Sequence, residues 1–303
     1  MEVIPMRTTK RFTPQLLARF RRLGRGQGTF DDYIPWHRVG RGDPASRGRS
    51  HLQQWNGRQR ELLSDHEWVI MFFSVMLTNL VDIREQFPLA QESCQHELST
   101  YQHRDSYQLF PGTLEIAKKL GIKHPMSTGG GISDTWVPST DLLLTIEGAD
   151  GTLELLAVAI KERGELDERR KKELLQLERE YWLARDVTWL LITPDQYDQR
   201  VALLLRMTMP WALGDSVSSA DLQISAKAAR ECHGRPLSHL LNKLAILFGD
   251  IDRGQRAFWQ SVWSTNIPLD LRRGWRPHLP ITLLNSETFR SLNPVAARRS
   301  AWI

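Results

Sequence analysis

Three ionisable residues in the middle of this sequence, Glu67, Asp141 and Lys161, have the types and spacing that phosphodiester hydrolysis needs. Asp141 stands at the head of an apolar run, Ser139–Ile146, and Lys161 closes a second, Leu153–Ile160. The turn Glu147-Gly148-Ala149-Asp150-Gly151 joins them. Adjacent antiparallel strands bring the start of one beside the end of the other, so a carboxylate and an ammonium meet at one sheet edge. Glu67 is offered by a helix upstream. Carboxylates suit Mg²⁺, a hard cation that takes oxygen ligands. Such a metal polarises a phosphoryl oxygen and acidifies water, while a lysine orients that water or offsets developing charge. Each residue also has an ordinary structural use. An Asp heading a strand serves as a turn or cap residue, a Lys after an apolar strand is a solvated end, and Glu67 completes a helix cap. Spacing alone leaves both readings open.

The elements that must position these residues follow from periodicity. Ser64-Asp65-His66-Glu67 reads as a capping box, Ser64 capping and Glu67 reaching back, at the start of a helix running to about Asn79. Val81–Leu89 reads as a strand closed by Pro88. A short helix is predicted over 114–120. The charged stretch from Asp167 to about Arg185 carries a Leu174/Leu177/Tyr181 stripe and reads as a long helix before a strand at Val187–Thr193. Strand, strand, long helix, strand is the layout of a mixed α/β sheet flanked by helices. Residues 11–24 form a short amphipathic helix, and 24–57 read as an extended basic loop without a sustained period. Gly129-Gly130-Gly131 reads as a flexible loop, and Trp182 and Trp189 as core.

After Pro194 the texture changes. Helices are predicted near 201–211, 220–230, 237–248 and 254–263. Short strands at 267–271 and 280–284 then flank the basic hairpin LRRGWRPHLP. This is the pattern of a winged-helix module. Residues 197–303 hold 14 Lys and Arg against 8 Asp and Glu, whereas the first 196 residues are nearly balanced at 26 against 27. The earlier part has basic stretches of its own, including Arg7, Lys10, Arg25, Arg38, Arg47 and Arg60. A basic surplus points to an anionic partner such as DNA. Three segments are expected: 1–60, an N-terminal helix and loop belonging to a nuclease domain; 61–196, the nuclease core; and 197–303, a basic winged-helix-like domain. No apolar run is long enough for a membrane span, the longest, near Val69–Leu77, being broken by Ser74. The two cysteines, Cys94 and Cys232, lack metal-ligand spacing. A cytoplasmic protein fits these features.

The order Glu on a helix, then Asp and (Asp/Glu/Gln)-x-Lys on a hairpin, resembles the PD-(D/E)xK nucleases of the restriction-endonuclease fold. More closely, the chain is similar to the TnsA family, the endonuclease subunits of heteromeric cut-and-paste transposases. The resemblance rests on GRGQG at 24–28, DYIPW at 32–36, GRSH at 48–51, LLSD at 62–65 and DIREQFPL at 82–89. It continues through GIKHP at 121–125, STD at 139–141, DER at 167–169 and LEREYW at 177–182, and so covers about residues 11–195.

That resemblance implies roles position by position. Glu67, Asp141 and Lys161 match the catalytic trio. The two carboxylates would hold Mg²⁺, two ions in all, with the carbonyl of Ile160 as a further ligand, and Lys161 would serve the attacking water. The family's Gln or Glu two residues before the lysine falls at 159, where this chain has Ala159. Alanine has no side-chain oxygen, so this is a departure from the pattern. Arg84, Lys123 and His124 lie in matched segments and are expected at DNA, as are Arg272, Arg273 and Arg276 of the C-terminal hairpin. The implied activity is nicking of the 5′ strands at transposon ends, beside a recombinase subunit and an ATPase regulator. The alternative, kept alive by Ala159, is a catalytically weakened subunit that bridges recombinase, regulator and DNA. A free-standing restriction or repair nuclease is a third reading that the run of matched segments disfavours.

Overall fold

The computed structural model describes residues 11–46, 48–101 and 108–302. Arg7, Lys10 and Arg47 of the basic stretches lie outside the described residues. The chain divides into two compact units, one from Met1–Glu67, Asp82–Ala159 and Glu165–Trp189, the other from Trp68–Val81, Ile160–Gly164 and Leu190–Ile303. The second unit therefore draws on segments of the expected nuclease core as well as on the C-terminal third.

In the first unit, helix α1 (Pro14–Arg22) starts as its sequence dictates. Thr13 caps the N–H of Leu16, and Pro14 sits in the first turn, where its missing N–H costs nothing. Its Leu17 and Phe20 pack with Trp36 and Val137. A hairpin follows, β1 (His51–Trp55) with β2 (Arg58–Leu62), paired from His51↔Leu62 to Trp55↔Arg58. The expected loop thus ends in a hairpin. Its turn is Asn56-Gly57, with φ of 47° and 78°, the two left-handed positions that a twisted two-residue turn demands.

Helix α2 (Asp65–Val75) and strand β3 (Leu80–Pro88) come next, then helix α3 (Thr113–Leu120). The triple glycine closes a second hairpin, β4 (Met126–Gly129) with β5 (Ile132–Thr135), through Gly130-Gly131. That corrects the expectation of a flexible loop: two residues with positive φ between short strands are again a tight turn. Strands β6 (Ser139–Glu147) and β7 (Leu153–Ile160) pair antiparallel from Leu142↔Val158 to Glu147↔Leu153. Together with β8 (Thr188–Ile192) they form a four-stranded sheet in the order β3-β6-β7-β8. Their apolar runs are buried on both faces, which is why the period-two alternation is lost. Helix α4 (Arg169–Leu183) packs against the sheet through Trp182, fully buried, whose indole N–H donates to Thr140 Oγ at 2.7 Å. Trp182 also meets the Phe87 ring. Trp189 is buried as expected.

The second unit is mainly helical: α5 (Gln199–Ala212), α6 (Ser219–Glu231), α7 (Leu237–Phe248), α8 (Ile251–Trp263) and α9 (Ser286–Ser291). Leu240, Leu244, Ala257, Phe258, Trp259 and Val262 fill its core. The segment 68–81 belongs here by contact. Phe72 meets the Trp263 ring, the Arg206 guanidinium lies over Trp68, and Asn293 Nδ2 donates to the Phe73 carbonyl at 2.7 Å. The two strands expected at 267–271 and 280–284 are not formed. Only the isolated bridge Leu269↔Leu283 joins these segments, with Pro236↔Pro280 nearby. Pro268 and Pro280 lack the N–H groups that a ladder requires. The basic hairpin is instead a short helical turn, Leu271–Arg273, capped by Asp270.

Candidate active site

Glu67 is held by the start of α2 and by β3. Ser64 Oγ accepts the Glu67 N–H at 3.1 Å and donates back to Glu67 Oε1 at 3.2 Å. The reciprocal cap reaches one residue further than expected: Oε2 accepts the N–H of Leu63 at 2.8 Å. The same oxygen accepts Gln86 Nε2 at 2.9 Å. A carboxylate only accepts, so it must be the amide nitrogen of Gln86 that faces it.

Gln86 adopts φ 51° although it is not glycine and is buried at 2 % exposure. The left-handed region costs an L-residue about 1–2 kcal/mol. Its own carbonyl accepts the Trp36 N–H at 3.2 Å, which fixes this backbone from outside the sheet.

Asp141, 8 % exposed, sits on β6 next to β3. The ends are matched by the Leu89 N–H, which donates to the Pro138 carbonyl at 2.8 Å where β3 stops and β6 begins, so the two strands run antiparallel. Three residues back along β3 stands Gln86, and three forward along β6 stands Asp141. Thr140 and Phe87 both touch Trp182 of α4, so their strand neighbours Asp141 and Gln86 turn to the other face, the face on which Gln86 meets Glu67. Glu67, Gln86 and Asp141 thus share one side of the sheet. On the other flank of Asp141, Ala159 is the residue next in line beyond the Leu142↔Val158 pair, and it is fully buried.

Lys161 leaves the end of β7. Its N–H donates to the Ile192 carbonyl at 3.1 Å and its Nζ to the carbonyl of Ile160 at 3.0 Å, the carbonyl expected as a metal ligand. Among the described residues, no three His, Cys, Asp or Glu side chains gather as a metal cage. Two buried carboxylates are nevertheless a donor set that suits Mg²⁺, which keeps several waters and takes one or two carboxylates.

The residues expected at DNA are distributed differently. Arg84 is 1 % exposed, its guanidinium 4.6 Å from the Phe87 ring centre and 4.9 Å from that of Tyr101. Lys123 is exposed, and its carbonyl accepts Arg170 Nη2 at 2.6 Å. The His124 ring bridges the Pro125 carbonyl and Thr113 Oγ, each at 3.1 Å, and burial lowers its basicity. Arg272, Arg273 and Arg276 are exposed. Arg272 pairs with Asp270 at 2.8 Å, and Arg273 donates to the Pro280 carbonyl at 2.7 Å.

A mixed sheet with flanking helices, an acidic residue at the head of one hairpin strand and a lysine at the end of the other, is the arrangement of a restriction-endonuclease-like nuclease. Comparison with known proteins is specific. Residues 78–194 match the family model for the TnsA-like endonuclease N-terminal domain. The chain is also 30 % identical over 234 residues, 77 % of its length and 72 % of the relative's, to the transposon Tn7 transposition protein TnsA of Escherichia coli. It belongs to the TnsA family, and is a transposase subunit of the endonuclease type. No helix among the described residues is long and apolar enough to cross a membrane.

Two features of this site escaped the sequence reading. Gln86 lies within DIREQFPL, and nothing local in the sequence marks it as the partner of Glu67. The Asn56-Gly57 turn between runs of alternating polarity was the available signal for the first hairpin.

Proposed function

We propose that this chain is a Mg²⁺-dependent endonuclease that nicks the 5′ strands at transposon ends. Glu67 and Asp141 are its metal ligands and Lys161 is the group that serves the attacking water. The observation that carries this reading is the pair of buried carboxylates on one side of the sheet, Glu67 already oriented by three hydrogen-bond donors. Buried carboxylates are costly unless hydrogen-bonded or matched by a cation, so a site that keeps two is suited to hold one. When bound, Mg²⁺ supplies Lewis acidity at the scissile phosphate and lowers the pKa of water. The chain's own contribution is orientation. The Ser64 and Leu63 donors fix the Glu67 carboxylate, and the β3–β6 pairing fixes the backbone of Asp141. The Lys161 ammonium favours negative charge that develops on the phosphate.

The partners that follow from this reading are transposon-end DNA, a recombinase subunit that cuts the other strand, and an ATPase regulator, all in the cytoplasm. The test is nicking of labelled end DNA with the recombinase present, with Mg²⁺ or with chelator. Nicking by the native chain that Asp141→Asn and Lys161→Ala each abolish supports the reading. Ala159 favours a second reading, a weakened subunit whose task is assembly. Normal complex formation on end DNA without any metal-dependent nicking would establish that one instead.

A further inference from the structure

Glu67 Oε2 takes two N–H donors, from Leu63 at 2.8 Å and from Gln86 at 2.9 Å. Oε1 accepts Ser64 Oγ at 3.2 Å, so donors from α2 and from β3 together set the orientation of this carboxylate. We propose that Gln86 is a positioning residue of the metal centre, whose amide holds the Glu67 carboxylate in the orientation that a metal would meet. The inference rests on the nuclease reading above and adds a residue to it.

Three observations converge on Gln86. Its side chain makes the contact to Glu67. Its position places it on the face of the sheet shared with Asp141, three residues from the Leu89–Pro138 rung that is also three residues from Asp141. Its backbone is held at φ 51° in a buried setting. Strain of this kind persists only where the surroundings enforce it, and here the Trp36 N–H on the Gln86 carbonyl supplies the clamp. The arrangement also bears on Ala159. Of the two strands that flank Asp141, β7 brings a methyl group beyond the Leu142↔Val158 pair, whereas β3 brings an amide. Polar support for the site therefore comes from the β3 side.

The role divides from a merely structural one by the length of the side chain. Asparagine tolerates the left-handed region well, so Gln86→Asn keeps the backbone, but its amide is one methylene too short to hold Glu67 at 2.9 Å. The experiment is direct titration of the full chain with Mn²⁺, followed by electron paramagnetic resonance of free Mn²⁺. Native protein, Gln86→Asn, Gln86→Ala and Asp141→Asn are compared, each with its melting temperature in chelator. The expected result is loss of about tenfold to a hundredfold in Mn²⁺ affinity for both Gln86 variants, the usual effect of removing a partner that orients a ligand. Gln86→Asn should melt as the native chain does, and its nicking rate should recover at saturating metal. If the native chain binds Mn²⁺ through Asp141 and both Gln86 variants bind it equally well, the positioning role is overturned and the nuclease reading stands. If Asp141→Asn binds Mn²⁺ as the native chain does, the nuclease reading falls and this inference falls with it.

Discussion

Two acidic side chains on neighbouring elements of the first unit, Glu85 and Glu67, are buried to similar degrees and satisfied in opposite ways. Glu85 is neutralised. Arg58 makes two hydrogen bonds to its carboxylate, at 2.7 and 2.6 Å, and the Glu61 N–H adds a third at 3.0 Å. Arg60, fully buried, lies 3.7 Å from Asp82 and 3.9 Å from Glu85. Burial lowers the basicity of Arg60, whereas for Arg58 burial is outweighed by the Glu85 hydrogen bond and charge, so Arg58 is held more basic than usual. This closed network staples β2 to β3. At Glu67, by contrast, Oε2 accepts two neutral N–H groups, from Leu63 and Gln86, which orient the carboxylate. The donors, an arginine fork at Glu85 and backbone and amide N–H groups at Glu67 Oε2, distinguish the two carboxylates better than burial does.

That comparison makes predictions of decreasing size. The largest concerns Asp141→Asn. It should lower metal-dependent nicking by about a hundredfold to a thousandfold, the order found for losing a preorganised electrostatic group, while the melting temperature in chelator stays the same or rises. A fall in melting temperature that accounts for the lost activity would place Asp141 with the structural carboxylates. Next is Arg58→Ala, which leaves Glu85 buried and unpaired and should cost about 3–5 kcal/mol of stability. Urea unfolding measures it. Surviving folded protein should keep its Mn²⁺ affinity, because the network does not serve the metal.

A smaller gain is expected from Ala159→Gln. Residue 159 is two before Lys161 on one strand, so both side chains lie on one face. An added amide oxygen should raise nicking at low Mg²⁺ several-fold, and Lys161→Ala in that background should remove it. An unchanged metal dependence would take position 159 out of the coordination shell. For the second unit, alanine at Arg272, Arg273 and Arg276 together should reduce the salt slope of DNA binding by about one per lost phosphate contact. Arg272 and Arg273 have internal partners, so a drop of less than three is expected, and an unchanged slope assigns the turn to a protein partner.

The smallest effect is the pH response of His124. Burial lowers its folded pKa below the ordinary value, so the unfolded chain binds the proton more readily. The sign follows: stability is lost as pH falls from the unfolded value toward the lower folded one, and regained as pH rises back through that window. His124→Gln should flatten the melting-temperature profile slightly in mildly acidic buffer. A steeper profile would reverse the assignment.

Much of this architecture was legible in the sequence, because it follows from local rules. The Ser64/Glu67 capping box, the apolar runs of β6 and β7 and the charged helix α4 all lie where periodicity places them. The hairpins at Asn56-Gly57 and Gly130-Gly131 were also signalled, but their short polar strands were masked by a basic, glycine-rich context. The C-terminal strands failed because Pro268 and Pro280 remove ladder donors that an apolar pattern does not reveal. For the site, Glu67 and Asp141 were legible as types and spacing. Gln86 was not. Its role depends on a contact between residues nineteen apart in sequence and on a left-handed backbone that nothing in REQFPL announces. Arg84 illustrates the reverse error: a basic residue in a matched segment suggested DNA, yet its guanidinium is packed between two rings.

That Glu67 and Asp141 hold divalent metal is tested most directly by anomalous diffraction from crystals soaked in Mn²⁺. The account predicts a peak bonded to Glu67 and Asp141, with waters completing the shell and Gln86 still donating to the Glu67 carboxylate. Mn²⁺ bound away from Glu67 or from Asp141 would contradict it.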